Sequence, residues 1–184
     1  YCLLFNDDVD FYEGAIDSLI QKEKNVIWVG PTCDDEGHLS YGGVIKTSTW
    51  RPKFQIVKAE TNEGTVCDTF NANCVLIPWG IFLVLGNMDS KYSHSLGDFD
   101  YGFFARKKGV IVKVSNQFVG VCIDNPTKGS WRDTSLSRKK RLQLKESPKG
   151  LPKKEWFYYL NKNYSLFTAI IYSIIPYVKI GLRK

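Results

Sequence analysis

The sequence predicts an α/β fold, and three segments near its start carry the prediction. Leu3-Leu4-Phe5 is a short apolar run that stops abruptly at Asn6-Asp7-Asp8, as a buried parallel strand does where it leaves its sheet. Phe11, Ala15, Ile16, Leu19 and Ile20 then recur at helical spacing, with Asp10 placed to cap and Glu13 to complete a capping box, so a helix is expected over roughly 11–23. Val26-Ile27-Trp28-Val29, closed by Gly30-Pro31, is a second strand, and the order strand, helix, strand is that of an α/β sheet.

Residues 32–70 are polar and broken by Gly37, Gly42-Gly43, Pro52 and Gly64, with extended stretches at Val44-Ile45 and Phe54-Gln55-Ile56-Val57. Cys74-Val75-Leu76-Ile77 reads as a strand, and Pro78 opens a helix that Gly86 stops. A loop over 87–97 leads to a helix from Asp98 to Lys108, which carries Phe99, Phe103 and Phe104 at helical spacing and ends on cations and Gly109. Strands follow at 110–114 and about 118–122. The organisation is a domain over 1–135 and a basic, aromatic, helical tail over 136–184.

With 184 residues, 43% hydrophobic and 14% aromatic, the chain can bury a sizeable core, which excludes disorder. Its five cysteines never form a CxxC pair, which argues against a disulfide framework or zinc knuckle and fits a reducing cytosol. Residues 1–100 hold 15 Asp/Glu and 7 Lys/Arg, whereas residues 101–184 hold 4 and 18. A basic half of this kind suits a polyanion, an anionic membrane surface or a solvated face, the last being the reading for most of the cations from Arg138 to Lys154. The apolar stretch Leu166 to Val178 has 13 residues and contains Pro176; crossing a bilayer takes roughly 20. It suits a membrane interface. Trp156, Phe157, Tyr158, Tyr159 and Tyr172 read as packing or interfacial residues.

Two motifs carry chemistry. Leu4-Phe5-Asn6-Asp7-Asp8 places acidic side chains at the carboxyl end of a strand, where α/β proteins bind ligands. His94-Ser95-Leu96-Gly97-Asp98-Phe99-Asp100-Tyr101-Gly102 opens a helix with acids, and Arg106 and Gly109 follow. Taken alone, each is also what a turn or a capped helix requires. Their order and spacing, with Thr69-Phe70-Asn71-Ala72-Asn73-Cys74-Val75-Leu76-Ile77-Pro78 between them, resemble the C-terminal two-thirds of a family 2 (GT-A type) inverting glycosyltransferase of the bacterial rhamnosyltransferase-like branch.

The resemblance implies a partial GT-A mixed sheet flanked by helices. It further implies transfer of a sugar from a nucleoside-diphosphate sugar, dTDP-rhamnose or a UDP-sugar, to a hydroxyl of a glycan or lipid-linked acceptor in cell-surface polysaccharide synthesis. Asp98 matches the general base. Asn6 and Asp8 match the DxD motif and would hold Mg²⁺ or Mn²⁺, Asp8 as the main ligand. Asp7 and His94 fall on the donor diphosphate. Asn71, Asn73 and Asp100 fall on the acceptor side, Asp100 as a supporting or capping group. Gly97 stands where many members have Glu. A complete member would carry roughly 80 to 100 residues, holding the nucleobase, before Tyr1. Localisation would be cytoplasmic, at the inner face of the membrane, with the basic tail touching anionic lipid and no nucleic-acid partner. A non-enzymatic polyanion- or membrane-binding module is the alternative. A phosphate-ester hydrolase with Asp7 and Asp8 as metal ligands would need more ligands than the two histidines readily supply.

Overall fold

A computed structural model describes residues 1–94 and 96–182. They form two compact units: Tyr1–Thr47, Lys53–Met88 and Asp98–Asp124 in one, Ser48–Pro52, Asp89–Gly97 and Asn125–Lys184 in the other. The fold is mixed α/β.

In chain order the first unit holds β1 (Cys2–Phe5), β2 (Asp10–Phe11), α1 (Ala15–Ile20), β3 (Val26–Val29), β4 (Thr32–Cys33), β5 (Leu39–Tyr41) and β6 (Gly43–Lys46). It continues with β7 (Phe54–Val57), β8 (Thr65–Val66), β9 (Thr69–Phe70), β10 (Cys74–Ile77), α2 (Trp79–Leu85), α3 (Gly97–Lys107), β11 (Ile111–Val114) and β12 (Gly120–Val121). The main sheet has the order β1-β10-β3-β11-β8. Strand β10 is antiparallel to both β1 and β3, and β11 is parallel to β3, so β1, β3 and β11 all run one way.

Strand alternation divides the core. Ile27 and Val29 of β3, with Val75 and Ile77 of β10, face Leu85 of α2 and Tyr101 and Ala105 of α3. Val26 and Trp28, with Cys74 and Leu76, face Ala15 and Leu19 of α1. Helices thus cover both faces of the sheet, which is why β3 and β10 are apolar without interruption.

The expectation for the first strand needs correction. Strand β1 is an edge strand, half-buried and antiparallel to its one neighbour, with Phe5 58% exposed. The first helix is also shorter than expected and the Asp10–Glu13 capping box does not form: Phe11 pairs with Gly120, Tyr12 N donates to Val119 O, and the helix starts after Gly14 at φ 71. Cross-strand bonds take the first residues of the expected helix, and a left-handed glycine marks the new start.

Helix α3 lies close on β9. A Cβ at Gly102 would fall on Thr69 Oγ1 and within 2.7 Å of Thr69 Cα, and Thr69 Oγ1 donates to Phe99 O at 2.8 Å. Phe54 packs edge-on against Phe99 at 5.1 Å.

The second unit holds α4 (Arg138–Lys145), α5 (Lys153–Asn163) and α6 (Leu166–Leu182). Ser137 caps α4 by accepting from Lys140 N. Two cations of the basic run are not solvated: Arg141 is 2% exposed and donates to Trp131 O, and Lys145 is fully buried, donating to Glu146 and to Tyr177 Oη. Glu146 also accepts from Tyr177 and from Lys153 N, so one carboxylate serves all three helices. Burial alone would raise the Glu146 carboxyl, but the bonds from Lys145, Tyr177 and Lys153 lower it.

Pro176 inside α6 leaves Tyr172 O without its helical donor, and Trp156 Nε1 supplies one at 3.0 Å. Trp156 stacks on buried Tyr159 at 5.5 Å. The loop Asp89–Gly97 is tied to α5: Asp89 accepts from Tyr158 Oη at 2.8 Å and Lys162 Nζ at 3.1 Å, and Glu155 accepts from Ser93 N and Oγ.

Gly102→Ala should lower stability by about 1–3 kcal/mol, because α3 can yield only by lifting from β9; the denaturant midpoint measures it. The bonds from Tyr158, Lys91 N and Lys162 hold the Asp89 carboxyl at about 2 against an ordinary 3.8. Its contribution is therefore fully present above the unfolded value and is lost as pH falls through the folded one. Asp89→Asn should cost about 1 kcal/mol at neutral pH, and the difference from the parent should vanish as pH falls from about 4 to 2.

Candidate functional site

The site grows from the reversal of β10. Antiparallel insertion between β1 and β3 brings the turn before β10 to the carboxyl ends of the strands beside it. The register pairs Phe5 with Cys74, so the next residue of β1, Asn6, donates its N–H to Asn73 O at 3.3 Å. Asn6-Asp7-Asp8 forms an exposed turn closed by Val9 N on Asn6 O at 3.4 Å. It links two strands of different sheets and does not begin a helix.

Residues 71–73 join this turn to α3. Asn71 N donates to Gly42 O at 3.1 Å, Ala72 N donates to Asp98 Oδ2 at 3.3 Å, and Asn73 Nδ2 donates to Cys122 Sγ at 3.2 Å. Asp98 Oδ1 also accepts from Phe99 N at 2.8 Å. Asp98 is half-buried in the first turn of α3, where the helix dipole favours negative charge. The seat of α3 on Thr69 fixes its place.

Cys122 is the junction on the other side. Its thiol donates to Asp8 Oδ1 at 3.6 Å while accepting from Asn73, so Asn6, Asp8, Asn71–Asn73 and Asp98 lie along one connected rim. Of the expected residues, Asn6, Asp8, Asn71, Asn73 and Asp98 are thereby brought together. Asn73 is buried and spends its amide on Cys122, which makes it an anchor of the rim. Asn71 Oδ1 is buried with no hydrogen-bond partner. Asp100, expected on the acceptor side, is 2% exposed, which removes its carboxylate from reach of an acceptor. His94 is exposed and belongs to the second unit; Ser95 lies outside the described residues.

The small sheet, order β2-β12-β4-β5, adds acids that the motifs did not mark. Strand β12 is parallel to β4 and antiparallel to β2, so Asp8 before β2, Asp124 after β12 and Asp34 after β4 stand at one end. Burial, then the Asp8 charge, raises the Cys122 thiol. Burial, then the Asp34 charge, raises the Asp124 carboxyl. The His38 N–H leads the bonds that hold the Asp34 carboxyl down. Asp34-Asp35-Glu36 is visible in the sequence as an acidic turn, but nothing local links it to Asp8. Cys122 and Asp124 carry no sequence signal.

Among the described residues, no group of three or more His, Cys, Asp or Glu side chains forms a ready metal cage. What the turn presents is two exposed carboxylates, Asp7 and Asp8, beside an amide, Asn6. This oxygen set suits a hard divalent cation that takes its remaining ligands from water and phosphate. No protein-family model and no curated protein matches the chain.

The coupling between Cys122 and Asp8 is testable. Alkylation of Cys122, followed by mass spectrometry of its peptide, should show an elevated thiol midpoint in the native protein. Asp8→Asn should move that midpoint down; an unchanged midpoint would separate the two side chains.

Proposed function

We propose that the first unit performs inverting glycosyl transfer from a nucleoside-diphosphate sugar to a hydroxyl acceptor, with Asp98 as general base. One observation carries the reading. Two motifs about ninety residues apart, Asn6-Asp7-Asp8 and Asp98, meet through a single three-residue turn at the carboxyl ends of the sheet. Neither motif requires the other for local reasons.

In this reaction Asp98 takes the proton of the acceptor hydroxyl as its oxygen attacks the anomeric carbon from the face opposite the nucleotide. The bond from the anomeric carbon to the diphosphate breaks, and its electron pair leaves with the nucleoside diphosphate. The amides of Ala72 and Phe99 orient the carboxylate. Asp8, with Asn6, would hold Mg²⁺ or Mn²⁺, which when bound neutralises charge on the leaving diphosphate. Asp8, Asp34 and Asp124 stand together at one end of the small sheet, so a diphosphate seated beside them would call for a cation to offset their charge. Asp7 stands in the same turn, on the donor side in this reading. The acceptor would be a glycan or a lipid-linked glycan, and the donor dTDP-rhamnose or a UDP-sugar.

Two substitutions test the assignment. Asp98→Asn should reduce turnover of a panel of nucleotide sugars by about 10²–10⁴-fold while leaving Mn²⁺-dependent binding of the nucleoside diphosphate intact. Asp8→Asn should abolish that binding. Unchanged turnover in Asp98→Asn would remove the base, and metal-independent nucleotide binding would remove the role of Asp8.

A further inference from the structure

Helix α6 is packed with its small side inward. Its buried residues are Thr168, Ala169, Ser173, Pro176 and Ile180, only one of them a large aliphatic. Its exposed residues include Leu166 (58%), Phe167 (68%), Ile170 (50%), Ile174 (55%), Val178 (48%) and Leu182 (79%). At 3.6 residues per turn these six fall within an arc of roughly 160°, about 25 Å long. The arc contains no charged side chain, and Lys179 is exposed at its margin. Burial of large aliphatics is the main driving force of folding, so a helix that hides Thr, Ala and Ser while showing Leu, Phe and Ile has its better packing surface outside.

We infer that this face docks on an anionic lipid bilayer, lying in the interface plane with the apolar arc inserted among the acyl chains. Charge selects the occupant. The unit that carries α6 has sixteen Lys and Arg against four Asp and Glu, a net charge of +12. A surface of anionic headgroups is complementary to it, whereas a second copy docking through the same unit would bring a like-charged body against it. An apolar helix face on a strongly basic body is the combination that binds acidic membrane interfaces, by inserted area together with charge attraction. No described helix is long and apolar enough to cross the bilayer, so α6 lies on it. The inference is independent of the chemistry proposed for the first unit.

Co-sedimentation with vesicles tests it. The chain should bind phosphatidylglycerol–phosphatidylcholine vesicles, bind pure phosphatidylcholine vesicles more weakly, and be partly released by high salt. Ile170→Ser with Ile174→Ser, both exposed, should lower the partition coefficient about tenfold or more with the circular dichroism and thermal transition of the parent. Phe167→Ser with Leu182→Ser should do the same from the two ends of the arc. Failure of the parent to bind anionic vesicles would overturn the inference, as would undiminished binding by both double variants. A concentration-dependent dimer abolished by the same substitutions, without vesicle binding, would assign the face to a second copy.

Discussion

Strand β10 is hydrogen-bonded on both sides and runs against both neighbours. Because its direction is reversed, the chain must enter the sheet at the end where β1, β3 and β11 leave it. The turn at Asn71–Asn73 therefore lies beside Asn6, and the strand that supplies Val75 and Ile77 to one core also supplies Cys74 and Leu76 to the other. The layers, the rim and the approach of α3 all depend on that insertion.

Around the turn, polar groups are used for position. The amide of Asn73 holds Cys122, the thiol of Cys122 holds Asp8, and the backbone of Ala72 holds Asp98. Each bond is modest, about 1 kcal/mol net, but together they give two distant carboxylates a common reference. The acids gathered at the end of the small sheet make the rim electronegative. In the proposed reaction, a phosphate-bearing ligand seated there would call for a cation.

The second unit handles its polar groups in the same economical way. Lys145 is buried because Glu146 and Tyr177 meet it, and Tyr172 O is satisfied by Trp156 where Pro176 cannot donate. Its helices are thus tied by polar contacts on the inside, while α6 leaves large aliphatics outside. The usual arrangement of a water-facing helix is reversed.

Local period and punctuation in the sequence determined the strands at Val26–Val29, Cys74–Ile77 and Ile111–Val114, the helices opened by Pro78 and near Asp98, and the acids at their ends. These features depend on neighbours within a few residues, and such neighbours are legible in a linear string. Tertiary structure alone decided that β1 is an edge strand and that Asp10–Phe11 leaves the helix for a sheet. It alone brought Cys122, Asp124 and Asp34 to Asp8, and turned the apolar side of α6 outward. Each of these depends on a partner far along the chain, as Gly120 is to Phe11 or Cys122 to Asp8. A helix as apolar as α6 carries too weak a polar pattern to announce which face its neighbours will cover.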